Sequence, residues 1–268
     1  MRINTNMNAI TALNQSTKNT ALAGTSMNKL SSGLRINKAG DDAAGLAVSE
    51  KMRAQIRGME QAERNVQDGI SLVQTAEGAL GEAGNIAQRM RELAVQGAND
   101  TLDSGDRTKI SNELKSLGEE MAKIAGETKF NGTSLLNGAT TLNIQAGANK
   151  ETREIATTNL SAIAANISSL NVSSTTFAQA AIDSIDAALN SINVGRANMG
   201  VMQNRLEATS STLTTSTENL TAAESRIRDV DIASEMMNLS KLNLLNQAAQ
   251  AMMSQAKSQP EGVMQLLR

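Results

Sequence analysis

Met52, Met59, Val66, Val73, Leu80, Ala87 and Ala94 lie seven residues apart, with Ala62, Gly69, Ala76, Ala83 and Met90 as a companion stripe. A period of seven returns the same helical face every two turns, so this segment must be a helix packed along its whole length. Asp41 or Asp42 can cap it and Gly97 can end it. At ~1.5 Å per residue, residues 43 to 97 make a helix about 80 Å long. A second seam runs through Ile185, Ile192, Met199, Leu206, Leu213, Leu220 and Ile227, beside Ala181, Ala188, Met202 and Ala223, and predicts a helix over about 178 to 225. Between them, Ile110, Leu114, Leu117, Met121 and Ile124 alternate steps of four and three, which predicts a shorter helix from about Ser104 to Thr128.

The fold class that follows is all-α: a long antiparallel helical rod, or coiled coil, carrying one small β-hairpin. In "TLNIQAGANKETREIAT", Leu142, Ile144 and Ala146 alternate with polar residues before a Gly-containing turn, giving a hairpin at about 140 to 157. Residues 157 to 176, rich in Ser, Thr, Asn and Ala, read as a loop with room for one short helix. Gly58, Gly69, Gly78, Gly81 and Gly84 fall inside the first long helix, each costing about 1 kcal/mol relative to Ala. Either they admit a close neighbour or they mark local irregularities.

Composition narrows the chemistry. The 268 residues include no Cys, His, Trp or Tyr, two Phe and one Pro. This removes Cys- or His-ligated zinc, His-dependent triads and thiol chemistry. The remaining carboxylates, serines and lysines do not cluster, so neither an enzyme nor a cofactor is expected. Asp41 and Asp42 could form a carboxylate pair, but with no other ligand type beside them they read as helix caps. The net charge of −2 gives no reason to expect nucleic acid. No run approaches the roughly 20 apolar residues of a membrane span. Residues 1 to 40 carry Arg2, Lys18, Lys29, Arg35 and Lys38 and no acid, the charge bias of a transit peptide, yet their apolar spacing is that of a packed helix.

Both termini are apolar in a way that one chain cannot satisfy. Met7, Ile10, Leu13, Met27, Leu30 and Leu34 follow helical spacing. In residues 233 to 256, Met236, Met237, Leu239, Leu242, Leu244, Leu245, Met252 and Met253 surround more than one helix face. A helix apolar on several sides needs several neighbours. Asn238, Asn243, Asn246, Gln247 and Gln250 among them suit hydrogen bonds between packed helices. These apolar residues are the expected polymerisation interface. The break at residues 35 to 42, matched by "SRIRDVDIAS" at 225 to 234, then separates a self-sufficient middle from a terminal pair completed by assembly.

The stretches "MRINTNMNAITALN", "LSSGLRINKAGDDAAGLAVSEKMRAQIRG", "NVQDGISLVQTAEGAL", "QRMRELAVQ", "FNGTSLLNG", "ESRIRDVDIASEMM" and the terminal "LLR" closely resemble bacterial flagellin, in that family's order. The resemblance implies a subunit exported unfolded through the flagellum's own channel and polymerised at the distal tip as a secreted, extracellular homo-oligomer. Its implied partners are an export chaperone, filament cap and hook-junction proteins. It assigns residues 1–40 and 230–268 to an inner coiled-coil domain and 41–229 to a surrounding domain, without the large outer domains of longer flagellins. "QRMRELAVQ" is similar to the segment bound by toll-like receptor 5, which implicates Gln88, Arg89, Glu92, Leu93 and Gln96, with Glu113 on the next helix. Met90 replaces the valine or isoleucine common there. Ser173, Ser174, Thr175 and Thr176 are candidates for O-linked sugars by the same analogy. A hook-to-filament junction protein is the alternative within the structural class, and a receptor ligand or adhesin the alternative outside it.

Overall fold

The computed structural model describes residues 6–266, with side chains described as far as Ser258. The first letters of "MRINTNMNAITALN", the last of "LLR", and the matching ends of the 1–40 and 230–268 segments lie outside the described residues. In chain order come α1 Met7–Ser32, α2 Ala43–Gly97, α3 Ser104–Glu127, β1 Lys129–Phe130, β2 Thr133–Ser134, β3 Thr141–Gln145, β4 Thr152–Ala156, α4 Leu160–Ser168, α5 Thr175–Arg228 and α6 Ile232–Leu266. Two compact units result. One runs to Ala54 and resumes at Asn219; the other is Gln55–Glu218. The division falls inside α2 and α5, not at the breaks between helices.

In the first unit each break has its own chemistry. The side chain of Asn6 caps α1 by accepting the Ala9 N–H at 3.1 Å, and α1 ends at Gly33, whose φ of 71° is left-handed. The chain then pairs with the return path: Leu34 bridges Asp229, Arg35 N–H donates to Arg228 O at 2.6 Å, and Val230 N–H donates to Gly33 O at 3.0 Å. The two neighbouring aspartates divide the work. Asp42 Oδ1 caps α2 by accepting the Gly45 N–H at 2.8 Å, while Asp41 Oδ2 holds the turn by accepting from Asn37 and Lys38. Asp231 caps α6 through the amides of Ala233 and Ser234.

These amides, Lys38 first and then Asn37, hold the Asp41 carboxyl below its ordinary value of 3.8. A carboxyl lowered in the folded state stabilises fully above the unfolded value and loses that contribution as pH falls through the folded one. Amide exchange at Asn37 and Lys38 is therefore expected to accelerate only below the ordinary carboxylate range, and Asp41→Asn should remove this acid dependence.

The second unit holds the core that the seven-residue seams predict. Ala62, Val66, Val73, Leu80 and Met90 of α2, Leu114 and Met121 of α3, and Ile185, Ile192 and Leu206 of α5 are fully buried. With Leu160 and Ile167 of α4 and Ile155 of β4 they form a core almost without aromatic rings. The β3–β4 hairpin is antiparallel, with Thr141 opposite Ala156 and Gln145 opposite Thr152. A second hairpin, β1–β2, turns on Asn131 and Gly132, both at positive φ, a feature of two-residue hairpin turns. The short helix that residues 157 to 176 have room for is α4, and the loop reading needs correction only at the far end of that span. Asn159 caps α4 through the Ala162 N–H, and Ser174 starts α5, its carbonyl accepting from Ala178, so Thr175 and Thr176 belong to the first turn of a helix.

The helix glycines separate into two kinds. A Cβ on Gly58 would lie 2.8 Å from Ala148 Cβ and 3.1 Å from its backbone Cα, whereas one on Gly78 meets nothing within 4 Å. Gly78→Ala should therefore stabilise by about 0.5–1 kcal/mol, because only the entropic cost of glycine is removed. Gly58→Ala should destabilise. Denaturant midpoints of the two variants are expected to move in opposite directions.

Candidate functional site

The terminal helices of the first unit pair through an unexpected seam. On α1 the shielded positions are Ala9, Ala12, Ser16, Asn19, Ala23, Ser26 and Leu30; on α6 they are Glu235, Leu239, Leu242, Asn246, Ala249, Met253 and Ala256. Both runs alternate steps of three and four, the spacing of a coiled-coil seam. The α1 side of the seam is small and polar. Ser16 Oγ donates to Asn246 Oδ1 at 2.8 Å, Asn246 Nδ2 donates to Thr20 Oγ1 at 2.8 Å, and Asn6 Nδ2 donates to Ala256 O at 2.7 Å. These bonds fix register, since a slip of one residue would orphan Asn246.

The seam takes up Leu30, Leu239, Leu242 and Met253 and leaves most other large apolar side chains of the two helices outside it. Of the residues expected at the polymerisation interface, Met7, Ile10, Leu13, Met27, Met236, Met237, Leu244, Leu245 and Met252 are exposed, Met237 at 69% and Leu244 at 66%. The other five are shielded within the chain: Leu242 is 7% exposed, and Leu30, Leu34, Leu239 and Met253 are half-buried. Leu22 and Ile232 join the exposed set. Each such side chain gains about 1.5–3 kcal/mol when fully removed from water. An open groove of ≈ 670 Å³ between the helices, lined by Ala12, Gln15, Leu245 and Met252 among others, interrupts this surface.

In the second unit, the residues implicated in receptor binding fall on adjoining faces of α2 and α3. Arg89 bridges Glu92 at 3.0 Å and Glu113 at 3.2 Å. Glu92 first and then Glu113 raise the Arg89 pKa further, so it stays a fixed cation. Gln88 and Gln96 are exposed beside it. Leu93 differs: at 2% exposed it is floor rather than rim, lining a cleft of ≈ 320 Å³ with Leu102 and Ile110. Nearby, Arg91 reaches Asp186 of α5 at 2.6 Å.

The four hydroxyls considered for glycosylation are not equivalent. Thr175 donates to Asp100, Ser173 donates to Asn171 at 3.0 Å, and Ser174 Oγ accepts from the Phe177 amide. Thr175 first and then Arg107 lower the Asp100 pKa. Ser173 and Thr176 are exposed; Ser174 and Thr175 are half-buried. Among the described residues no group of three or more Asp or Glu could hold a metal, and no helix is long and apolar enough to cross a membrane.

A helical chain whose middle is packed and whose paired ends present apolar side chains to solvent belongs to the structural, self-associating class. Residues 3–141 match the bacterial flagellin N-terminal helical region, and residues 182–267 match the bacterial flagellin C-terminal helical region. The chain belongs to the bacterial flagellin family. It is 53% identical to a flagellin of Halalkalibacterium halodurans and 45% identical to a flagellin of Bacillus subtilis, each over 100% of both chains. It is also 43% identical to the flagellar filament 33 kDa core protein of Treponema phagedenis over the full length of both. Among solved structures, a crystal structure of Bacillus cereus flagellin is 33% identical, with a TM-score of 0.52, over 60% of this chain and 94% of that one. A putative flagellar hook-associated protein from Vibrio parahaemolyticus, at 15% identity, TM-score 0.57, and coverage of 70% and 100%, shares the fold. The chain is thus a structural subunit of the extracellular flagellar filament and not an enzyme. It is a short form, with only α4 and its connections between the β3–β4 hairpin and α5.

Proposed function

We propose that polymerisation runs through the outward face of the α1–α6 pair, with Met7, Ile10, Leu13, Met27, Met236, Met237, Leu244, Leu245 and Met252 as the residues that neighbouring subunits cover. The observation that carries this reading is the sorting of the pair: α1 lines the seam mostly with small and polar residues, while Met7, Ile10, Leu13, Met27, Met236, Met237, Leu244, Leu245 and Met252 stand exposed outside it. Leu30, Leu34, Leu239, Leu242 and Met253 act from within, shaping the pair that presents the face. In this division of labour residues 1–40 and 230–268 form the inner domain of the filament and 41–229 the surrounding one. Deleting residues 1 to 35 should leave a helical, soluble monomer and abolish polymerisation. Filaments of ordinary appearance from that truncation would overturn the assignment. An export chaperone, the filament cap and hook-junction proteins are the partners this route implies, and Ser173 and Thr176 are the hydroxyls best placed for O-linked sugars.

A second role, recognition by toll-like receptor 5, is supported by the exposed cluster of Arg89, Glu92 and Glu113 with Gln88 and Gln96. Leu93 contributes as the apolar floor beneath it. Arg89→Ala combined with Glu113→Ala should lower receptor signalling by about tenfold or more, as loss of a charged anchor does. Polymerisation should be unchanged. Full signalling by the double variant would remove this role.

A further inference from the structure

The chain holds 14 Met and no Cys, Trp, Tyr or His, so methionine sulfur is its main target for mild oxidants. Among the described residues the buried and the most exposed sulfurs are sorted by place, with Met52, Met202 and Met253 half-buried between them. Met59, Met90, Met121 and Met199 are buried, and all four belong to α2, α3 and α5. Met7, Met27, Met236, Met237 and Met252 are each at least half exposed, and all five belong to α1 and α6. Oxidation follows access, so the first sulfurs to react in a free subunit are those on the face assigned above to assembly.

The geometry points to an oxidant-sensitive modification site made of these five methionines: peroxide converts them to sulfoxides in the unassembled chain and thereby stops its addition to a filament. In each event the thioether sulfur attacks one peroxide oxygen and the O–O bond breaks. An S–O bond forms, and the departing hydroxide takes up the remaining proton and leaves as water. The sulfur loses two electrons and hydrogen peroxide gains them. A flexible apolar side chain becomes a polar, chiral one, which cannot be covered by a dry neighbour without losing its hydration. The change is reversible by the two epimer-specific sulfoxide reductases.

This inference rests on the assembly face proposed above, and one experiment separates the two. Free full-length chain and assembled filaments receive the same dose of hydrogen peroxide, and sulfoxides are mapped by peptide mass spectrometry. In the free chain the five should oxidise ahead of the buried four, and in filaments they should be protected. Oxidised free chain should then show a critical concentration for seeded growth raised by about tenfold or more. In a variant with the five changed to Leu, the critical concentration, whatever its value before treatment, should not move with the same dose. If that variant does not polymerise, enzymatic reduction of the oxidised native chain decides: recovered growth supports the site, and persistent failure overturns it. Equal oxidation in filaments and free chain would sink the assembly face itself. Protection in filaments, with fully sulfoxidised free chain growing like untreated chain, would sink only the oxidant switch.

Discussion

Leu244→Asp is expected to leave the free subunit folded and to stop it polymerising. Leu244 stands outside the coiled-coil seam at 66% exposure, and the seam residues Leu239, Leu242, Asn246 and Met253 are untouched by the change. In the free chain a carboxylate there is simply hydrated. Against a neighbouring subunit the same group forfeits about 1.5–3 kcal/mol of apolar burial and adds the desolvation of a charge. Every ~1.4 kcal/mol is tenfold in an association constant, so the critical concentration should rise by more than about 100-fold. Leu242→Asp makes the contrast. At 7% exposure, that position faces α1, and the variant should lose helix content in the free chain before assembly is in question. Circular dichroism of the monomer and sedimentation of seeded polymer together distinguish the two, and Leu244→Asp filaments at normal concentration would show that this face is not covered.

The contrast between these two leucines also marks where pattern reading succeeds and where it stops. The seams from Met59 to Ala94 and from Ile185 to Leu213 are readable because large or small apolar residues recur at one face and that face is buried. Toward the breaks the same spacing continues, yet Met52, Leu220 and Ile227 are only half-buried, since periodicity reports a face and not how much covers it. In α1 the logic inverts. Ala9, Ala12, Ser16, Asn19, Ala23 and Ser26 hold a seven-residue repeat of small and polar side chains, which an apolar search passes over while collecting Met7, Ile10 and Leu13 from the outer face.

Local chemistry tells a similar story. The Asn-Gly pair at 131 and 132 signals the β1–β2 hairpin, but strands of two residues are too short to alternate visibly. Asp41 and Asp42 are both readable as cap candidates, and only the geometry assigns the cap to the second and the turn to the first. The Arg89 cluster depends on Glu113, 24 residues away, which no spacing rule connects to it; the family resemblance alone brought the two together.

Arg228→Ala should loosen the base of the terminal pair without touching its seam. Arg228 is the last residue of α5, and its side chain is 11% exposed. Nη1 donates to Glu50 Oε1 at 2.6 Å and to Ser49 Oγ at 3.3 Å; Ser49 Oγ in turn donates to Glu224 Oε1 at 3.0 Å. Its carbonyl accepts the Arg35 amide, the bond that ties the outgoing and returning chains together. Truncation removes a charged donor from a largely buried site, which costs about 1.5–3 kcal/mol. That is a factor of roughly 10 to 100 in the local opening equilibrium. Hydrogen exchange should therefore accelerate by this factor at the amides of Arg35 and Val230, while amides around Leu80 and Leu114 in the second unit keep their protection. Arg228→Lys should recover only part of the effect, because a single ammonium cannot reproduce the planar fork of a guanidinium. Unchanged exchange at Arg35 in the alanine variant would mean that the backbone bridge from Leu34 to Asp229 holds the break without the arginine.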